Sequence, residues 1–181
     1  MLKSFYFLTI LLFNLSSSAQ DTIKKVVPAK KVMSGKHELK VGIIKPLAYQ
    51  AIETTYEYIA SNKFGFGTAV LFNTDKSNTY QEDFSVTPFA RFYFQDPKMQ
   101  YGNGLFLEGF GKYISGRYKG LNDIDIAYDV TAVGLGGGYK YLFKSGLLIE
   151  PVIGFSQAIA RKDIASPGGG LRADLSVGYR F

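Results

Sequence analysis

Leu171-Arg-Ala-Asp-Leu-Ser-Val-Gly-Tyr-Arg-Phe181 closes the chain, and its period of two decides the fold. Leu171, Ala173, Leu175, Val177, Tyr179 and Phe181 share one face. Arg172, Asp174, Ser176, Gly178 and Arg180 share the other. Strict alternation of this kind belongs to a strand whose two faces meet different solvents. The stretch has the length of roughly ten residues that a strand needs to cross a bilayer at a tilt.

Working outward, seven more stretches carry strand signals from Glu38 onward: 38–46, 51–59, 64–72, 84–94, 105–115, 128–141 and 147–158. No window between them holds helical spacing long enough for a helix. The reading is an all-β fold, an eight-stranded antiparallel up-and-down barrel over 38–181. Connections after the second and sixth stretches are short (61–63 and 143–146). Those after the third, fifth and seventh are longer and polar (73–83, 116–127 and 159–170). Short turns at one end and long loops at the other are the asymmetry of a membrane barrel. The short 47–50 and the long 95–104 blur it. Pro88 and Pro151 fall inside strands, where each removes a ladder hydrogen bond, so bulges are expected there.

Ahead of the barrel, Met1-Leu-Lys3 and the apolar run from Ser4 to Leu15 precede Ser17-Ser-Ala19. This predicts a secretory signal peptide over 1–19, too short for a transmembrane helix. Residues 20–37 hold Lys24, Lys25, Lys30, Lys31 and Lys36 without a sustained period, and read as a solvated periplasmic linker. A tether to anionic lipid or cell-wall polymer is the other reading of those lysines. Residues 1–38 carry six of the 21 Lys and Arg and two of the 15 Asp and Glu. Residues 39–181 therefore keep 15 basic against 13 acidic groups, a net of +2. No basic face remains for nucleic acid. The absence of cysteine excludes disulfides and thiol chemistry.

Facing follows from energetics. A charge on lipid at mid-membrane costs roughly 2–4 kcal/mol, so the charged faces must point inward. The expected interior set is Lys40, Glu53, Glu57, Arg91, Glu108, Lys112, Lys140, Glu150, Arg172, Asp174 and Arg180. Its near balance of sign favours an interdigitated salt-bridge core, since an eight-stranded barrel is just filled by its side chains. A charge-selective pore would show one sign in excess. Aromatic residues are expected in two interfacial belts. Tyr58, Phe92, Phe94, Tyr139, Tyr141, Tyr179 and Phe181 make the periplasmic one, with Phe72, Phe84, Tyr113, Tyr128 and Phe155 opposite.

Chemistry finds little to work with. His37 is the single histidine and precedes the barrel, whereas Ser/His hydrolysis needs a base beside its nucleophile. Asp123 with Asp125, or Glu82 with Asp83, could be glycosidase carboxylates or calcium ligands; solvated loops are the simpler reading. Gly134-Leu-Gly-Gly-Gly138 lacks the following helix of a phosphate loop and reads as close strand packing. No catalytic residue, cofactor or metal is expected.

Several stretches resemble small outer-membrane barrels of gram-negative bacteria in families of unknown function, and the OmpA/OmpX-type eight-stranded architecture generally. These are Glu38-Leu-Lys-Val-Gly-Ile-Ile44, residues 84–94, Gly104-Leu-Phe-Leu-Glu-Gly-Phe-Gly111, residues 144–151 and Val177-Gly-Tyr-Arg-Phe181. Tyr179 and Phe181 resemble the carboxy-terminal signal read by the barrel-assembly machinery. The resemblance implies an outer-membrane location, lipid as surroundings, that machinery as partner and external loops free to meet an extracellular ligand. It implies no catalytic residues. Three functions stay open: a structural or surface-interaction barrel, a narrow pore for ions or small solutes, and a soluble secreted lipocalin-like lipid binder with an apolar interior.

Overall fold

Strands with one polar and one apolar face leave unpaired edges unless the sheet closes. The computed structural model describes residues 35–74, 80–94, 101–119, 125–161 and 169–181, and there the sheet closes. The strands are β1 (His37–Gly42), β2 (Ala51–Ile59), β3 (Phe64–Asn73), β4 (Glu82–Tyr93), β5 (Gly104–Lys119), β6 (Asp125–Leu142), β7 (Leu147–Arg161) and β8 (Gly169–Arg180). They form a closed barrel in chain order, each antiparallel to its neighbours. The expected signal peptide and nearly all of the linker lie outside the described residues.

Burial follows the alternation read from the sequence. Along β2 the pattern is strictly buried-exposed from Ala51 to Ile59 apart from half-buried Thr54, with Glu53, Thr55 and Glu57 inside. In β8, Asp174, Ser176 and Arg180 point inward while Leu171, Ala173, Val177 and Tyr179 are exposed. The glycines of 134–138 allow close approach. A Cβ on Gly134 would stand 2.3 Å from Phe110 Cζ, and one on Gly138 would stand 2.7 Å from Phe106 Cζ. The Phe106 and Phe110 rings of β5 thus lie against the β6 main chain.

The structure corrects several expectations. The first strand stops at Gly42 rather than Pro46, and a short helix follows, α1 (Ile44–Tyr49). Pro46 cannot donate to a ladder but is tolerated in a helix's first turn, and Gln50 ends the helix in the left-handed region at φ 53°. Six residues are too few to show a helical period. Neither proline makes a bulge: the β4–β5 register is the same on both sides of Pro88, and the β6–β7 register is the same across Pro151. Bulges fall instead between Glu82 and Phe84 and opposite Thr131/Ala132. The loops read as 116–127 and 159–170 are partly strand, since β5 runs on to Lys119, β6 starts at Asp125, β7 ends at Arg161 and β8 starts at Gly169. Finally, Tyr128 is not in an outer belt; it is buried inside, 3% exposed.

That last correction belongs to a larger pattern. Over most of the barrel, odd positions of β6 (Tyr141, Tyr139, Leu135, Val133) are apolar and exposed, while Lys140 faces in. Beyond Val133 the assignment reverses. Thr131, Asp129 and Asp125 now face out, and Ala132, Val130 and Tyr128 pack inside with Ile114, Tyr118 and Ala158. The β5–β6 hairpin therefore carries two polarities along its length, apolar outside below Val133 and polar outside above it. Tyr113 stands at the change, its hydroxyl donating to Asp129 at 3.0 Å.

Candidate functional site

Seven of the eight strands, all but β3, bring inward-facing charged residues together inside the barrel. Lys40 on β1 donates to Glu57 at 2.7 Å and to Glu150 at 2.9 and 3.0 Å. Arg91 on β4 donates through Nη1 to Glu57 (2.6 Å) and Glu150 (2.9 Å), and through Nε to Glu108 (2.7 Å). Its guanidinium lies 4.3 Å from the ring centroids of both Phe89 and Phe106. Lys140 on β6 donates to Glu38 (2.5 Å), Glu57 (3.0 Å) and the Tyr93 hydroxyl (2.6 Å). The Tyr93 hydroxyl in turn donates to Glu57. Arg180 reaches Glu38 through Nε at 2.8 Å and the Gly102 carbonyl at 2.9 Å.

Toward the loop end, Arg172 donates to Glu108 and stands 3.7 Å from Glu53, which accepts from Lys45 of α1. Of the residues expected inside, all but Lys112 and Asp174 join this connected set. Lys112 pairs with Glu82 at 2.6 and 2.7 Å. Asp174 accepts from Ser176 at 3.3 Å, and its Oδ1 has no hydrogen-bond partner among the described residues.

The sequence reading missed Glu38, Lys45 and Glu82. Glu38 shares the parity of Lys40 and was legible. Lys45 depends on α1, and Glu82 on the bulge. Low dielectric makes a lone buried charge cost about 3–5 kcal/mol, so pairing governs what the interior can do. Glu38, Glu57 and Glu150 bring carboxylate oxygens within 4.8 Å of one another, a ligand spacing for a metal. Each already contacts at least two of Lys40, Arg91, Lys140 and Arg180. Ammonium and guanidinium nitrogens thus hold the positions a metal would take.

Above the network a cavity of about 350 Å³ opens at the loop end. Its charged part comes from Glu82, Lys112 and Arg172, with Ser156 beside them; Tyr49, Tyr80, Tyr128 and Ile114 supply its walls. Tyr49 of α1 stacks on Tyr80 with centroids 4.9 Å apart and an interplanar angle of 21°. Burial and the neighbouring Glu82 carboxylate push the Tyr80 phenol well above its usual range. The bulge builds this site. By inserting Asp83 it turns Glu82 inward to Lys112 and sends Asp83 to Arg117 (2.8 and 2.9 Å). Gly116 makes room: a Cβ there would stand 2.0 Å from the Gln81 carbonyl oxygen, which accepts from Tyr128 Oη at 3.2 Å and Arg117 N at 3.1 Å. Glu82 and Asp83 are thus strand residues with fixed partners, not a solvated loop pair.

The architecture defines a class of fold: a closed eight-stranded antiparallel up-and-down barrel with its charges paired inside. Among solved structures, the crystal structure of the N-terminal β-barrel domain of Pseudomonas aeruginosa OprF matches it with a TM-score of 0.58. The two are 16% identical over 80% of this chain and 96% of that one, so the likeness is one of fold. No protein-family model and no curated protein matches the chain.

Proposed function

We propose that this chain is an outer-membrane barrel of a gram-negative bacterium, exported by a leader over 1–19, with a structural or surface-interaction role and no enzymatic one. One observation carries the reading: the polarity of the described barrel is inside out. Leu135 and Leu171 are 76% and 72% exposed on the outer wall, while Arg91 and Lys140 are 2% and 0% exposed within. A water-soluble protein rarely exposes apolar patches beyond a few hundred Å², and here such residues circle the barrel. In hydrocarbon they are at rest.

The OmpA-type fold supports the same location. The interior speaks for a plug over a pore, because cations and carboxylates block the axis in pairs. It also speaks against a lipocalin-like lipid binder, whose cavity would need apolar walls where Glu57, Arg91 and Glu150 stand. Lipid and the barrel-assembly machinery are the partners this reading implies, the latter through Tyr179 and Phe181.

The test is electrophoresis of detergent-refolded protein with and without boiling, followed by planar-bilayer recording. A heat-dependent mobility shift without steady conductance is the expected result. Stepwise conductance would restore the pore reading. Full solubility without detergent, with no shift, would overturn the membrane reading.

A further inference from the structure

We propose that the cavity at the loop end of the barrel is a binding site for a neutral single-ring polyol, a monosaccharide or a terminal sugar of a glycan. The inference rests on the cavity's own chemistry and not on what surrounds the outer wall.

Size sets the first limit. About 350 Å³ lies at the small end of the roughly 300–1,000 Å³ of small-molecule sites, room for one ring and its substituents rather than a chain. Charge sets the second. Glu82 is matched by Lys112 through both carboxylate oxygens. Arg172 is matched by Glu108 and Glu53 just below. An ionic ligand would have to break one of these pairs or bring an unmatched charge among them, and either is costly where water is sparse. A neutral ligand need not. Each pair still has hydrogen-bonding capacity to spare: an ammonium has three donors, a guanidinium five and a carboxylate several lone pairs.

Shape sets the third limit. The stacked Tyr49–Tyr80 pair, Tyr128 and Ile114 give apolar walls beside that polar edge. A pyranose has the matching duality, with an apolar C–H face and a rim of hydroxyls. The site is also built rather than incidental. A bulge turns Glu82 into it, and a glycine at 116 is needed for the bulge to pack.

The experiment is saturation-transfer NMR on the full mature chain refolded in detergent micelles. The probes are methyl α-D-glucopyranoside, D-glucuronate and D-glucosamine. The wild-type barrel is expected to show saturable transfer with the neutral glycoside in the millimolar range, and at least about tenfold weaker binding of both charged sugars. Tyr49→Ala, on α1 and outside the strands, should weaken the glycoside about tenfold while the heat-dependent gel shift persists. Glu82→Gln frees Lys112 and should turn the preference toward glucuronate. Lys112→Met should turn it toward glucosamine. A folded barrel that gives no saturable transfer with the glycoside overturns the proposal. So does equal binding of all three sugars, or a preference that neither charge variant moves. Absence of the gel shift in the wild type would instead count against the membrane reading above.

Discussion

The same two strands, β5 and β6, run through two environments, and the contrast between their lower and upper halves is the most informative feature of the molecule. Below Tyr113 and Val133, Glu108 and Lys140 are buried while Leu105, Leu107, Leu135 and Tyr139 are exposed. Above, Ile114, Tyr128 and Val130 are buried, and Asp125 is exposed with Asp129 on the same face. Strand parity does not change; what changes is which parity the sequence makes apolar. A backbone that alternates every second residue records the solvent on each side, level by level. On the membrane reading, that reversal marks where hydrocarbon ends. The paired ribbon continues past Tyr113 to Lys119↔Asp125, about 20 Å farther along the strand at ~3.3 Å per residue.

The sharpest way to break the contrast is from within. Arg91→Met strips Glu57, Glu108 and Glu150 of their shared guanidinium, and should destabilise the barrel by about 3–5 kcal/mol. Urea unfolding in lipid vesicles, followed by far-ultraviolet circular dichroism, measures it. Adding Glu108→Gln to Arg91→Met should return part of the loss, because the second change neutralises a carboxylate that the first leaves with Arg172 alone, while Arg172 keeps Glu53 as a partner. An unaltered midpoint for Arg91→Met would mean that water reaches the axis and the plug is not dry.

Next in size is a test on the outer wall, using one strand and one face. Leu135→Arg lies within the apolar belt and should cost about 2–4 kcal/mol in vesicles. Ala127→Arg, eight residues along on the same exposed parity, should stay within about 0.5 kcal/mol. In a water-soluble barrel both would be cheap. Equal costs would therefore remove the membrane boundary placed between them.

The bulge comes third. Gly116→Ala would bring a methyl against the Gln81 main chain and should cost about 1–3 kcal/mol by overpacking, loosening the Glu82–Lys112 pair with it. Gly109→Ala, whose nearest neighbour would be Leu135 Cδ2 at 3.9 Å on the open outer wall, should be close to neutral. Thermal melts of the two variants in the same detergent decide between them.

How much of this the sequence could tell depends on the length of the signal. Alternation over nine residues located β2 to the residue and turned Glu53 and Glu57 inward. The same rule placed Lys40, Arg91 and Arg180. It could not find α1, because Ile44–Tyr49 is too short for a period and its one sign, Pro46, also suits the end of a strand. It could not place the bulge beside Asp83, since one inserted residue looks like a loop until its neighbour across the sheet is known. It misjudged Tyr128 for a different reason. With β6 taken to begin at that residue, the apolar Ile126, Tyr128 and Val130 were not seen as one inward face. The interior pairing itself, who meets whom across the axis, depends on a closure that no single strand encodes.

The smallest effect tests the seam where that closure is completed. Here β1 and β8 share five paired positions, from Glu38↔Arg180 to Gly42↔Ser176, whereas β5 and β6 pair from Gly104↔Lys140 to Lys119↔Asp125. Phe181 extends the seam by two main-chain hydrogen bonds with His37 (3.2 and 2.9 Å), and its ring stacks on the His37 imidazole with centroids 6.0 Å apart. Phe181→Ala keeps the main-chain bonds and loses the ring contact, which should cost only about 1 kcal/mol in a refolded barrel. Deletion of Phe181 removes the two bonds as well, at ~1 kcal/mol each, and should cost about three times as much. Delivery to the outer membrane in cells is a separate readout. If the terminal aromatic is what the assembly machinery reads, Phe181→Ala should lower surface levels as far as the deletion does, despite their different stabilities. Surface levels that instead follow stability would make Phe181 a latch of the seam and nothing more.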